Sequence, residues 1–217
     1  MEGAHEHIEG VFRRHDKWVN PSQAKLYSDI GFILLSYALE KSSGQTFDEL
    51  WQTWIGKLGL VKNVDLTFNP LRFSTPEKFA STGFCQIRMR TLRGEVHDEN
   101  CAALGGATGH AGLFGTGRSV TRYLRALAQL KRAEWNRPYF SSGSDINGLQ
   151  PGDDGFLAEF LGGKSVGHWG FTGTGFWVHP ATLNFIVLLT NRTINFRLTP
   201  LIREFRERVF QRVNLLF

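Results

Sequence analysis

Cysteine is scarce in this chain. Cys85 and Cys101 are its 2 cysteines, too few for a fold built on disulfides, and no Cys-x-x-Cys spacing suggests zinc. Both are expected to be reduced, buried thiols. Long apolar runs are absent too. No window reaches the roughly eighteen uninterrupted apolar residues that a membrane span needs, and the opening stretch MEGAHEHIEGVFRRHDKW is charged where a signal peptide carries its apolar segment. The expectation is a cytoplasmic chain with no membrane partner. No single sign of charge dominates: 25 Lys and Arg stand against 20 Asp and Glu, a net charge of +5. The basic residues repeatedly neighbour acids, as in LIREFRERVFQR, which reads as a solvated mixed-charge surface and excludes a nucleic-acid stripe. Internal repeats and low-complexity segments are absent as well.

What is present suits one domain with a real core: 217 residues, 41% of them apolar. Residues 1–20 read as a loosely ordered lead-in, 21–150 as a helical and loop region, and 151–217 as a sheet with a carboxyl-terminal helix. In YSDIGFILLSYALEKSSG, Ser28 or Asp29 can cap a helix whose apolar positions Ile30, Ile33, Leu34, Tyr37 and Ala38 recur at helical spacing, with Lys41 and Gly44 at its end. TFDELWQTWIGKLGL opens with a capping box, Thr46 with Glu49, and predicts a second helix. Residues 61–118 show no sustained period and read as loops with short strands. SVTRYLRALAQLKRA returns to helix, strands are predicted at about 156–161, 165–169, 174–179 and 184–190, and TPLIREFRERVFQRV closes the chain as an amphipathic helix.

Three stretches carry chemistry. Tyr27 to Asp29 lies at a helix start, where a phenolate is stabilised by the helix dipole and can act as a base; an aromatic staple over a capped helix explains the same residues. RGEVHDENCAALGGATGHAGLFGTGRS ends, at Gly112 to Ser119, close to the phosphate-cradling loop, but Arg118 replaces its lysine and no clear apolar strand runs into it. Its glycines are therefore read as allowing tight turns and close backbone approach. His97, Asp98 and His110, like His5 and His7, lack a recognised metal-ligand spacing, so no metal is expected. The third stretch, GHWGFTGTGFWVHP, holds 14 residues rich in glycine, with His168 at the mouth of a strand hairpin. A hairpin turn needs only one or two glycines.

Taken together and in this order, the three stretches resemble the serine beta-lactamase and penicillin-binding protein family, particularly its beta-lactamase-related hydrolases and esterases. YSDIGFILLSYALEKSSGQTFDELW is similar to the family's Tyr-Ser-Asn segment and following helices, and GHWGFTGTGFWVHPATLNFIVLLTNR to the strand pair bearing its Lys-Thr-Gly or His-Thr-Gly box. The resemblance covers nearly all of the chain. It implies an α/β fold of the α+β type, an antiparallel sheet flanked by helices, and acyl transfer to a serine followed by hydrolysis, with no cofactor. It assigns His168 to the box's basic position, Gly170 to the close-approach glycine, the backbone N–H of Phe171 to the oxyanion hole, and Tyr27 to general base and acid work. Asp29 stands where Asn is commoner, as a polar contact to substrate. Trp169 replaces the box threonine, so its bulk is expected to turn the pocket away from carboxylate-bearing substrates toward neutral esters or amides.

The resemblance also implies a nucleophile in a Ser-x-x-Lys turn of a buried helix, many tens of residues ahead of Tyr27. The one formal match, Ser22 to Lys25, lies immediately before Tyr27 in a Pro-led loop, and the SVTR segment at Ser119 carries an arginine that keeps its proton. The expectation is a domain lacking its nucleophile and the amino-terminal strands, inactive alone or part of a split enzyme. Its partners would be a small-molecule or peptide acyl substrate, and a second copy or a separately encoded amino-terminal fragment to cover the apolar strand NFIVLLT. The alternative is a non-enzymatic module that binds peptide or cell-wall fragments or serves in assembly.

Overall fold

The computed structural model describes residue 10 and residues 28–62, 65–135, 150–151, 165–179, 182–195 and 201–214. Helix α1, Asp29–Ser43, begins where Ser28 adopts extended backbone and its hydroxyl accepts the Ile30 N–H at 3.3 Å. It ends at Gly44 in the left-handed conformation, whose N–H reaches the Glu40 carbonyl at 2.9 Å. Helix α2, Phe47–Lys57, follows at once. Its capping box is complete: the Thr46 hydroxyl accepts the Glu49 N–H, and the Glu49 carboxylate accepts the Thr46 N–H at 2.8 Å. Glu40 of α1 accepts the Phe47 N–H at 2.7 Å, so the first helix caps the second.

The expected inward face of α1 is not buried. Ile30 is 44% exposed and Ala38 is exposed, while Ser36 is the helix's buried residue. The reason is packing. The loop at Gly109 approaches so closely that an added Cβ would stand 2.6 Å from the Phe32 carbonyl oxygen, and only a small side chain fits beneath it at position 36.

Residues 61–118 hold more order than their lack of period suggests. Strand β1, Leu66–Phe68, pairs antiparallel with β4, Leu113–Gly115; β2, Ser81–Cys85, and β3, Arg90–Arg93, form a hairpin; and Asp98 caps the short helix α3, Glu99–Ala103. Helix α4, Gly117–Trp135, packs Val120, Tyr123 and Ala126 on a core of Ile55, Leu60 and Leu66. Asp65, buried, receives both the Arg122 guanidinium, at 2.7 and 2.8 Å, and the Val61 N–H at 2.8 Å, tying the start of α4 to the loop ahead of β1.

The main sheet is antiparallel in sequential order: β5, Gln150–Pro151; β6, Val166–Trp169; β7, Gly175–Val178; β8, Phe185–Leu188. The strand expected at 156–161 falls outside the described residues. Side chains alternate across the sheet. Val166 and Val178 face α4 and pack on Ala128, with Leu127, Leu183 and Phe185 around them. Trp177 turns to the other face and meets Phe210 of α5, Ile202–Asn214, with Trp169, Ile186 and Leu188 completing that layer. The result is an α+β sandwich, one antiparallel sheet between helices. Among the described residues β8 is an edge strand, half-buried along its length, with α4 packed against it. No helix of the described residues is long and apolar enough to cross a membrane.

Candidate active site

The β6–β7 hairpin carries three of the residues singled out in the sequence. His168 follows Val166 by two positions, so it emerges, half-buried, on the face that packs against α4, across from Phe176. The strand then breaks into a tight turn. The Gly170 N–H donates to the Thr174 carbonyl at 2.8 Å, and the Gly173 N–H donates to the Gly170 carbonyl at 3.0 Å, which places Phe171 at the outer corner. Gly173 has φ of 98°, the left-handed region that glycine tolerates without strain. Phe171 is 56% exposed and its ring lies 4.6 Å from the Arg192 guanidinium.

The turn is braced from the segment after β8. The Thr190 hydroxyl donates to the Gly173 carbonyl at 2.6 Å and the Arg192 N–H to the Thr172 carbonyl at 2.9 Å. The same segment reaches the β2–β3 hairpin, where Asn191 donates from Nδ2 to the Ser81 carbonyl and Thr193 from its hydroxyl to the Thr82 carbonyl at 2.8 Å. Thr190 to Thr193 is thus a brace that the sequence reading left unassigned. Its only signal is a polar Thr-Asn-Arg-Thr directly after the most apolar strand.

Two glycines of the hairpin, Gly167 and Gly175, are also required by packing. Gly167 stands directly across from Trp177, and Gly175 from Trp169. A Cβ at Gly167 would run into the Phe176 carbonyl oxygen and come within 2.6 Å of the Trp177 ring, and one at Gly175 would run into the Trp169 ring. Each indole lies over a glycine on the neighbouring strand. Trp169 packs on the α5 side of the sheet. It sits on the face opposite His168, edge-on to Trp177 at 5.5 Å and to Phe210 at 6.1 Å between ring centroids. Strand alternation turns the indole into the core under α5, so it does not fill the side of the sheet that His168 faces.

Asp29 occupies the first turn of α1, exposed, where a carboxylate favours the helix amino end. Its helix packs against α2 and the Gly109 loop, so the structure sets it on a different element from the hairpin trio. Tyr27 lies outside the described residues, as do Ser22 and Lys25.

The Gly-rich loop is held shut by a polar clip. His110, its side chain only 2% exposed, places Nε2 at 2.9 Å from Asp98 Oδ1 and Nδ1 at 2.8 Å from the Thr108 hydroxyl. The carboxylate can only accept, so Nε2 carries a proton. Asp98 also accepts the Cys101 N–H at 2.7 Å. Burial works to raise the Asp98 carboxyl, but the Cys101 amide, His110 and the Asn100 amide together hold it below the usual value. With both of its ring nitrogens engaged, His110 staples the loop, and no group of three metal-ligating side chains forms among the described residues. The phosphate-loop likeness of Gly112 to Ser119 ends similarly. The short strand β4 lies within the stretch and, among the described residues, none runs into it, and the start of α4 is filled: the Thr116 hydroxyl accepts the Ser119 N–H at 3.1 Å, and the Ser119 hydroxyl donates to Asp65 at 3.3 Å. A carboxylate so close to the start of α4 repels a phosphate.

Comparison with known proteins shows the family. The family model described as Beta-lactamase matches residues 4–206. The chain is 32% identical over 195 residues to an N-acetylmuramyl-L-alanine amidase of Bacillus subtilis (strain 168), covering 77% of this chain and 44% of that protein. It is 31% identical over 206 residues to a putative D-alanyl-D-alanine carboxypeptidase of Salmonella agona (strain SL483), covering 79% and 46%. A protein of the same description from Escherichia coli (strain K12) is 29% identical over 203 residues, with coverage of 79% and 46%. The chain therefore spans less than half the length of these relatives. No solved structure matches it at comparable significance.

Proposed function

Because this chain belongs to the beta-lactamase family of hydrolases, we propose that it forms the carboxyl-terminal wall of a serine acyl-transfer pocket. In this reading the Phe171 N–H stabilises the oxyanion that forms when a serine hydroxyl attacks the substrate carbonyl, and His168 supplies a polar or cationic group beside it. Tyr27 passes the proton from the attacking hydroxyl to the leaving amine or alcohol, and Asp29 contacts substrate. Water then releases the acyl group from the serine. The observation that supports this best is the braced turn from Gly170 to Gly173, which fixes Phe171 two residues beyond a strand that presents His168. An oxyanion donor acts only if it is held in place before the charge develops.

The relatives' names point to amides of cell-wall peptides as the substrate class. With Trp169 turned to the α5 side of the sheet, its bulk is no argument against a carboxylate-bearing peptide. The attacking serine and its lysine are supplied from outside residues 1–217, by an amino-terminal portion carrying the buried Ser-x-x-Lys helix. By themselves the 217 residues are a pocket wall without an attacking group. A fluorophosphonate probe is expected to leave the purified chain unlabelled, and a chromogenic ester to stay unhydrolysed. Stoichiometric labelling at Ser22, with turnover lost in Tyr27→Phe, would overturn the missing-nucleophile reading.

A further inference from the structure

Helix α1 is apolar on nearly every side, yet the residue it buries is Ser36. A helix that is apolar all round belongs inside a larger body. Its inner side meets α2 and the Gly109 loop. The outer side carries Gly31, Leu35 and Leu39, which follow one another at four-residue steps and so form one ridge along the helix surface. All three are exposed, Leu35 at 59% and Leu39 at 44%. Glycine weakens a helix, and its use is to let something come close. At Gly31, however, an added Cβ would meet nothing within 4 Å. The ridge therefore has a gap at one end, a knob at the other and a leucine midway.

That order is self-complementary. Gly31 and Leu39 stand equally far from Leu35, about 6 Å along the helix axis on either side. A second α1 can be laid antiparallel on the first, turned about a two-fold axis at Leu35 and crossed so that the two ridges line up. Each Leu39 then comes over the other copy's Gly31, and Leu35 meets Leu35 at the axis. The charges favour the same orientation. Asp29 is the acid of the first turn and Lys41 the base of the last, both exposed. An antiparallel pair sets the acidic end of each helix beside the basic end of the other and opposes the two helix dipoles, whereas a parallel pair sets like ends together.

We propose that the outer face of α1 is the contact of a symmetric dimer, with a second copy of this chain as its occupant. Asp29 enters only as a charge at the helix end, and the readouts are mass and cross-linking, so the test does not depend on the acyl-pocket reading. Sedimentation velocity of the full purified chain over a wide range of concentration is expected to show a reversible equilibrium between one chain and two. Leu35→Glu sets two carboxylates face to face at the axis and is expected to weaken the dimer by at least about a hundredfold. Gly31→Leu fills the gap that takes Leu39 and is expected to weaken it about tenfold; a face that is merely sticky would bind more tightly with the added leucine. Leu35→Cys should give a disulfide-linked dimer on mild oxidation, and Leu130→Cys, 56% exposed at the wild-type leucine on α4, should not. Circular dichroism checks that each variant keeps its fold; if Leu35→Glu does not, Gly31→Leu and Leu35→Cys decide. A chain that stays monomeric throughout would overturn the proposal and leave the face to a portion outside residues 1–217. Open-ended association, a dimer that Gly31→Leu leaves unchanged or tightens, or one that Leu35→Cys fails to link would overturn it as well.

Discussion

Two glycine-rich stretches, Gly105 to Gly117 and Gly167 to Gly175, look alike on paper and are built on different physics. In the first, the obstacle at two glycines is main chain: Gly109 lies against the Phe32 carbonyl, and Gly112 against the Gly106 carbonyl, with the loop clipped by Asp98 and His110. In the second, the obstacle at Gly175 is a side chain, the Trp169 ring on the facing strand, while Gly167 meets both the Phe176 carbonyl oxygen and the Trp177 ring. A dense run of glycine therefore says that something comes close, not what comes close. The partner decides whether a substitution can be rescued.

The sharpest way to break that comparison is a pair of rescue experiments. Gly112→Ala places a methyl against a carbonyl oxygen at a φ of 102°, so it is expected to prevent folding or cost more than about 3 kcal/mol. Trimming the neighbouring Cys101 to Ala should not restore it, because the obstacle is main chain. Gly175→Ala should cost about 2–3 kcal/mol as an overpacking change. Here Trp169→Leu in the same chain is expected to recover a large part of the loss relative to the sum of the two single variants. Urea denaturation of the four proteins of each cycle measures both. Equal rescue in the two stretches would mean that the distinction is false.

A smaller effect concerns the clip. His110→Gln is expected to cost about 1–3 kcal/mol, since it leaves the Asp98 carboxylate short of a partner. Asp98 is held below the ordinary aspartate value in the folded chain, so its contribution is complete above about pH 4 and is lost as pH falls through the folded value. Asp98→Asn should therefore flatten the acid limb of stability against pH. An unchanged limb would remove the carboxylate from the account. The smallest effect is chemical. Burial pushes the Cys101 thiol up to about 11. Burial acts in the same direction on Cys85, yet the Arg88 amide and guanidinium, the latter 3.3 Å from Sγ, outweigh it and hold that thiol below its usual value. Limited alkylation followed by mass spectrometry should find Cys85 modified first.

The helices were legible because their signals are local. Ser28, the Thr46 and Glu49 box, and Gly44 each act within one turn, and all three stand where the residue types place them. The sheet from β6 to β8 was legible from alternation and turn residues. The β2–β3 hairpin was not, because the bonds that hold it against the 190s join residues 110 and 111 apart in sequence, such as Asn191 with Ser81 and Thr193 with Thr82. No window of sequence contains both ends. Of the site, His168, Gly170 and Phe171 fall on one hairpin as the resemblance implied, and Trp169 lies on the face opposite His168. Applying the two-residue period of a strand to His168 and Trp169 would have sent them to opposite faces. The cause of the glycines needed the strand register, which a single sequence does not reveal.

The long-range brace from Thr190 to Thr193 dictates a sequence of events at birth. While the ribosome is still adding residues just beyond Phe171, the turn lacks its contacts from Thr190 and Arg192, and the β2–β3 hairpin lacks those from Asn191 and Thr193. These contacts join distant parts of the chain, so they form only once the stretch past β8 has emerged. A nascent chain stalled before Thr190 would hold the turn's own Gly170–Thr174 bond without its brace.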